Sequence, residues 1–401
     1  MVTHRRPSDL RSLALMFALL TALGLVLGAV LSDARAQTAP QYTFTKVADS
    51  TEDGFDPNSF GCAAINARGD TAFRAGRLAP DGFNTIPGIY RANADGTLTT
   101  IAEDQRRFDF IGFNPSINDS GQVSFAARLD GGKKPGTEAI LRGDGRKLTT
   151  IATTADRFDF FGFDTSINNS GEVAFAAELD EEFGSDEGLF SGSGGKRGVT
   201  THYLASTSEF DGSDSRPSIN DSGNIAFVES VDFARGIFVG REGEFTTVVE
   251  PDPSDPSVGF EAPILNADGT VAFKKASFDE TAQQSVEEIV KIDAEGTSTV
   301  IADTRGEFAS FGFRPPSLNN NGDVAFLADL DSGGSGIFVG PDPINDRVIL
   351  TGDTLDGSTV QNITFCEEGL SDSGELAFVA QLEADTPDGF RTAVFRATPA
   401  P

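Results

Sequence analysis

Six side chains recur near one place in a repeating sequence: Asn114, Asp164, Arg216, Glu261, Arg314 and Glu367. Amide, carboxylate and guanidinium groups of this kind hold polar ligands through charge-assisted hydrogen bonds. A carboxylate pair held about 5–10 Å apart can also cleave a glycosidic bond. Histidine chemistry has little to work with, because the chain has 2 His and His4 lies in the N-terminal segment. The other, His202, sits in Val199-Thr-Thr-His-Tyr-Leu204, a strand position that reads as structural. No Ser-His-Asp triad, metal centre or other cofactor is expected. Ser120 and its copies follow Asp or Asn in a turn and lack the Gly-x-Ser-x-Gly setting of a nucleophile elbow. For calcium, Asp211-Gly-Ser-Asp214 and Asp252-Pro-Ser-Asp255 offer oxygen ligands without EF-hand spacing.

The elements that position these groups come from a repeat. Asn-x-x-Gly-x-x-Ala-Phe occurs at Asn66–Phe73 and recurs from Asn118, Asn168, Asn220, Asn266, Asn319 and Ser371. The successive spacings are 52, 50, 52, 46, 53 and 52 residues. A period near 50 residues with strand-like units fits propeller blades. Each unit reads as a short first strand, a turn, an alternating second strand, then third and fourth strands such as Gly236–Gly240 and Leu98–Ala102. Asn bonds its own backbone in the turn, and Gly supplies a positive φ. The second strand carries Phe on one face in all seven copies. The opposite face carries Ala72, Ser124, Ala174, Ala226, Ala272, Ala325 and Ala377. A large face packed on a small one reaches protein density, so adjacent blades interlock. The expected fold is all-β, a seven-bladed β-propeller of four-stranded blades.

The seventh repeat stops after a third strand, Thr392–Arg396, and Tyr42–Ala48 precedes the first motif as a surplus fourth strand. The N-terminal strand is expected to complete the last blade and zip the ring, which also covers two sheet edges. Cys62 and Cys366 lie in the first strands of blades one and seven, so a Cys62–Cys366 disulfide would staple that seam. Two buried free thiols are the alternative. Three Phe-rich loops, Arg107–Phe113, Arg157–Phe163 and Glu307–Phe313, precede first strands and are expected to plug gaps between blades.

Arg5, Arg6 and Arg11 precede an apolar run, Leu13–Leu31, and Ala34-Arg35-Ala36 offers small residues at a cleavage point. Residues 1–36 read as a signal peptide cut after Ala36, and residues 37–401 as one propeller domain. The twin Arg pair has a poor following context, so ordinary secretion is favoured over the twin-arginine route. An uncleaved N-terminal membrane anchor is the alternative. The formal net charge of −30 repels nucleic acid and anionic lipid. It suits a soluble exported monomer, away from the membrane once the leader is removed.

The repeat resembles that of tandem-repeat proteins named for the Asn-x-x-Gly-x-x-Ala-Phe pattern, found among bacterial exported proteins. The resemblance spans residues 42–397. It implies a propeller-like fold and export, and brings no activity with it. Arg396-Ala-Thr-Pro-Ala-Pro401 is not the apolar tail of a surface anchor. In a propeller the first strand lines the central channel, so the six polar residues are expected at one channel mouth, where loops converge on a concave site. The expected function is a secreted or periplasmic binding or scaffold module for a polar small molecule, a glycan or a protein. The alternative is a carboxylate-dependent hydrolase or lyase acting at the same mouth.

Overall fold

In the computed structural model the described residues are 42–79, 84–103, 107–130, 136–195, 198–210, 216–255 and 257–400. The leader and its cleavage point lie outside them. The described residues form seven antiparallel sheets in a seven-bladed β-propeller with four-stranded blades. Blade four shows the plan most simply: Ser218–Ile219, Ile225–Val231, Ala234–Arg241 and Glu244–Val249 pair in sequence order. In blades two, five and six the innermost strand is split by a bend, as in Phe108–Ile111 and Ser116–Ile117.

The alternation in the second strands sets the inter-blade packing. Phe73, Phe125, Phe175, Phe227, Phe273, Phe326 and Phe378 are all buried. Ala72 packs into the cluster around Phe125, Ala174 into that of Phe227, Ala226 into that of Phe273, and Ala272 into that of Phe326. Ala325 meets Phe378, and Ala377 meets Phe73, so the same contact carries across the closure from blade seven to blade one. Each buried Phe contributes roughly 1.5–3 kcal/mol. The one departure on the small face, Ser124, hydrogen-bonds Thr165 Oγ1 of blade three at 2.9 Å.

The motif Asn does more than shape its own turn. Asn66 Oδ1 accepts the Arg68 and Asp70 backbone N–H groups, while its Nδ2 donates to the Asn118 carbonyl of the next blade at 3.0 Å. Asn118, Asn168, Asn220, Asn266 and Asn319 repeat that inter-blade bond in turn. The motif Gly has φ between 75° and 91° in all seven copies, a conformation open to Gly at little cost.

Tyr42–Asp49 pairs antiparallel with Phe390–Pro399 and completes blade seven. The Cys62–Cys366 disulfide joins blades one and seven with Cα atoms 5.9 Å apart. Ile65 N–H donates to the Glu368 carbonyl at 2.9 Å, and Arg396 Nη1 to the Gly69 carbonyl at 2.9 Å. Arg391 ion-pairs with the buried Asp49, and Thr392 Oγ1 donates to the Pro57 carbonyl at 2.7 Å.

Candidate ligand site at the channel mouth

Asn114 and Arg314 sit in the bends that split the first strands of blades two and six, Asp164 inside the first strand of blade three, Arg216 just before that of blade four, and Glu367 between Thr364 and Ser371 in blade seven, each four or five residues before the motif Asn or Ser371. All five are partly buried. Asn114 Nδ2 donates to Asp164 Oδ1, and Arg216 Nε pairs with Asp164 Oδ2 at 2.9 Å. Burial raises the Glu367 carboxyl above its ordinary range and the Asp164 charge adds to that, while Arg314 and Arg216 pull it back. These groups therefore share one electrostatic neighbourhood. The sixth, Glu261, lies 3.8 Å from Lys274 Nζ, which is also 3.6 Å from Glu287 and donates to the Gly312 carbonyl at 3.1 Å.

Several polar atoms in this cluster are buried without a hydrogen-bond partner: Asn114 Oδ1, Arg216 Nη1, Arg314 Nε and Nη1, and Glu367 Oε2. An orphaned buried donor or acceptor costs about 1–3 kcal/mol. Five of them in one place belong to a site that solvent or ligand completes.

Glu368 is a member of the cluster that the repeat pattern did not single out. It accepts Ser116 Oγ–H at 2.7 Å and the Ile117 N–H at 3.3 Å, both from blade two. Ser116, Ser166, Ser218 and Ser317 each accept the N–H of the following blade's first strand. Blade one has Ala64 at that position, and Glu368 reaches in from blade seven to take the Ile117 N–H in its place. Burial pushes its carboxyl up to about 8, against the pull of the Ser116 hydroxyl. Arg74 was also not singled out. Its guanidinium lies 4.5 Å from the Phe113 ring centroid, and it donates to the Ser59 carbonyl. The available signal was that Arg74 and Lys274 follow the motif Phe where other blades carry Ala, Val or Leu.

The Phe-rich loops divide into two sets. Phe108, Phe158, Phe161, Phe308 and Phe311 are buried between blades, as expected of gap-filling side chains. Phe113, Phe163 and Phe313 are instead 45%, 48% and 70% exposed, each immediately before Asn114, Asp164 or Arg314. The plug expectation is corrected for these three, because their neighbours in the core already fill the space. The Phe113 ring lies against the Arg74 guanidinium and the Phe313 ring against that of Arg314, while Phe163 faces away from Asp164, its neighbour in the strand, and packs on Phe110 and Phe160. The disulfide is tied to both parts: Cys62 N–H donates to the Phe113 carbonyl at 2.9 Å, and Glu367 lies within 4.8 Å of the two sulfurs.

The opposite mouth is lined by the Asn turns together with Asp119, Asn169, Asp221, Asn320 and Asp372. These side chains bond to one another and to turn N–H groups, as when Asp119 Oδ1 accepts the Ala67 N–H. Of the two calcium candidates, Asp211–Asp214 lies outside the described residues. Asp252 and Asp255 spend their carboxylates on Ser254 and Ser257 in an exposed turn.

His202 is buried and neutral, its pKa lowered to about 4 by burial, with Arg241 adding to it. Its Nδ1 accepts the Glu242 N–H at 3.1 Å, which fixes the proton on Nε2. Nε2 then donates to Ser191 Oγ at 2.9 Å, and Ser191 donates to Glu172. Protons run from His to Ser to Glu, the reverse of what a nucleophilic serine requires.

A family model described as a family of unknown function (DUF7453) matches residues 246–400. No curated protein matches the sequence. Among solved structures, the β-propeller domain of the Trilobed protease from Pyrococcus furiosus is similar, with TM-score 0.51 and 12% identity over 84% of this chain and 94% of that one. Pyrococcus horikoshii acylaminoacyl peptidase gives TM-score 0.50 and 13% identity over 83% of this chain and 52% of its own. The Niastella koreensis GH74 enzyme gives TM-score 0.45 and 15% identity over 77% and 47%. The chain thus spans about half the length of the last two. Likeness at such identities shows the fold alone.

Proposed function

We propose that this chain is an exported binding propeller whose ligand site is the channel mouth formed by Asn114, Asp164, Arg216, Arg314 and Glu367. The observation that carries the reading is the set of five buried, partnerless polar atoms contributed by Asn114, Arg216, Arg314 and Glu367. Groups left unsatisfied in a rigid, disulfide-tied ring are preorganised for a partner that brings the missing hydrogen bonds. The exposed Phe113 and Phe313 rings, beside the Arg74 and Arg314 guanidiniums, favour a polar small molecule or a glycan over a flat protein surface.

Export rests on the sequence of residues 1–36, and the disulfide fits an oxidising compartment, secreted or periplasmic. Among the described residues, no helix is long and apolar enough to cross a membrane. The repeat resemblance supports the same setting.

A metabolite and glycan binding screen on residues 37–401 tests the reading, with Arg314→Leu and Asp164→Asn as site variants. Ligands that bind the parent and lose affinity in both variants, at unchanged Tm, support it. Binding indifferent to both variants places the site elsewhere. Asp164 and Glu367 also supply the neighbouring carboxylates that a hydrolase or lyase needs, with Glu367 biased toward its protonated form. Turnover of a bound glycan that Glu367→Gln abolishes while binding persists would favour that second reading.

A further inference from the structure

The inventory of partnerless atoms specifies the ligand's chemistry, given the channel-mouth reading above. Three of the five are nitrogens: Arg216 Nη1 and Arg314 Nε and Nη1. Two are oxygens, Asn114 Oδ1 and Glu367 Oε2. A complementary ligand therefore brings acceptors to two guanidiniums and hydroxyl donors to two oxygens.

Charge narrows it further. Arg216 has a counter-ion, since its Nε pairs with Asp164 at 2.9 Å. Arg314 has no ion pair among the described residues, and its guanidinium carbon lies 5.2 Å from the Phe313 ring centroid. Arg74, against the Phe113 ring, is a third guanidinium of this mouth, and its Nε is likewise buried without a partner. Three guanidiniums, Arg74, Arg216 and Arg314, thus stand against two carboxylates, Asp164 and Glu367, and the one charge left over matches a monoanion such as a carboxylate and is overfilled by a dianionic phosphate. The exposed rings of Phe113 and Phe313, beside Arg74 and Arg314, supply what the polar atoms do not, an apolar platform for the C–H face of a ring.

We infer that the mouth binds a sugar acid, with its carboxylate on Arg314 and Arg216, its hydroxyls on Asn114 and Glu367, and its ring against Phe113 and Phe313. The net charge of −30 opposes a long polyanion at range, whereas a Debye length of about 8 Å at physiological salt lets a small acid feel the arginines first. A monosaccharide or short oligosaccharide is the expected occupant.

The test is calorimetric titration of the mature chain with glucuronate and galacturonate, their short oligomers, the parent neutral sugars and glucose 6-phosphate. The uronates are expected to bind at least about tenfold more tightly than the neutral sugars, a difference near 1.4 kcal/mol. Arg314→Leu should erase that preference, Arg314→Lys should keep part of it, and Phe313→Ala should weaken acid and neutral sugars together. Neutral sugars that bind as well as the acids, with Arg314→Leu weakening both, would overturn the acid but leave the site standing. A preference for the sugar phosphate would overturn the carboxylate in the same way. No binding by any member of the panel overturns the sugar-acid inference, and the site itself then stands or falls on the wider screen. If Arg314→Leu lowers Tm, Arg314→Lys and Phe313→Ala carry the decision.

Discussion

Asn319 Nδ2 donates to the carbonyl of Ser371 at 3.1 Å, and Ser371, having no amide, cannot pass the bond on to Asn66. The inter-blade chain that runs Asn to Asn from blade one therefore stops at the seam. Ser371→Asn is expected to complete it and raise stability by about 1 kcal/mol, the net value of one added hydrogen bond. Asn168→Ala, by contrast, removes the bond to the Asn220 carbonyl and the acceptor for the Ser170 and Glu172 N–H groups, and should cost about 2–3 kcal/mol. Urea unfolding of both variants checks the pair. A Ser371→Asn variant less stable than the parent would show that the seam has a geometry of its own.

The break falls where other closures concentrate. Tyr42–Asp49 supplies the fourth strand of blade seven, and Cys62–Cys366 fastens blade one to it across 304 residues of sequence. Cross-linking so long a loop contributes about 6 kcal/mol in the chain-entropy picture. Replacing both Cys by Ser should lower Tm strongly while leaving a folded ring, because the strand zipper and the Ala377–Phe73 contact remain. Deleting residues 37–49 should be worse, since it exposes Phe390–Pro399 as an open edge. Calorimetry of the two variants side by side decides the ranking. Equal stability of the deletion and the parent would remove the zipper from the account.

How much of this was legible in sequence follows from what the repeat constrains. Phe125 and Ser124 alternate, so two faces and their packing could be read from the chain. A surplus N-terminal strand and two Cys at matching blade positions gave the closure for the same reason. The Asn66 bond to Asn118 was hidden because an Asn in a turn already has a local use, and its second use is a relation between copies 52 residues apart. Glu368 was hidden because its role is to cover for Ala64 in a different blade. The pairing of Glu261 with Lys274, one strand over, was hidden because Lys274 stands where most blades carry Ala, Val or Leu. Exposure of Phe113 beside buried Phe108 could not be read either, since both belong to the same Phe-rich loop.

Ser191, His202 and Glu172 could be mistaken for a hydrolytic triad in projection. The tautomer forced by the Glu242 N–H makes His202 a donor to Ser191, so Ser191 is not activated. A fluorophosphonate probe should leave Ser191 unlabelled. Ser191→Ala should cost about 1–3 kcal/mol, by stranding His202 Nε2 and Glu172 without their partner. Covalent labelling at Ser191, read by mass spectrometry, would reverse the proton order assigned here.

Two buried groups make stability depend on pH with opposite signs. The His202 pKa is lowered to about 4, so the unfolded state, near 6.5, takes up a proton more readily, and stability is lost as pH falls from 6.5 toward 4. Glu368 is raised to about 8 from 4.5, so the folded state holds its proton more tightly, and stability is lost as pH rises from 4.5 toward 8. Between 4.5 and 6.5 the two slopes oppose each other. Above 6.5 the His202 slope has ended and no longer offsets the Glu368 slope, at most about 1.4 kcal/mol per pH unit. The chain should therefore lose about 1–2 kcal/mol between pH 6.5 and 8. Glu368→Gln, which mimics the neutral carboxyl and can still accept the Ile117 N–H, should flatten that interval and match the parent at pH 6. Urea midpoints at pH 6, 7 and 8 for the two proteins measure the difference. A parent whose stability is level from 6.5 to 8 would mean that Glu368 is already ionised in the folded ring.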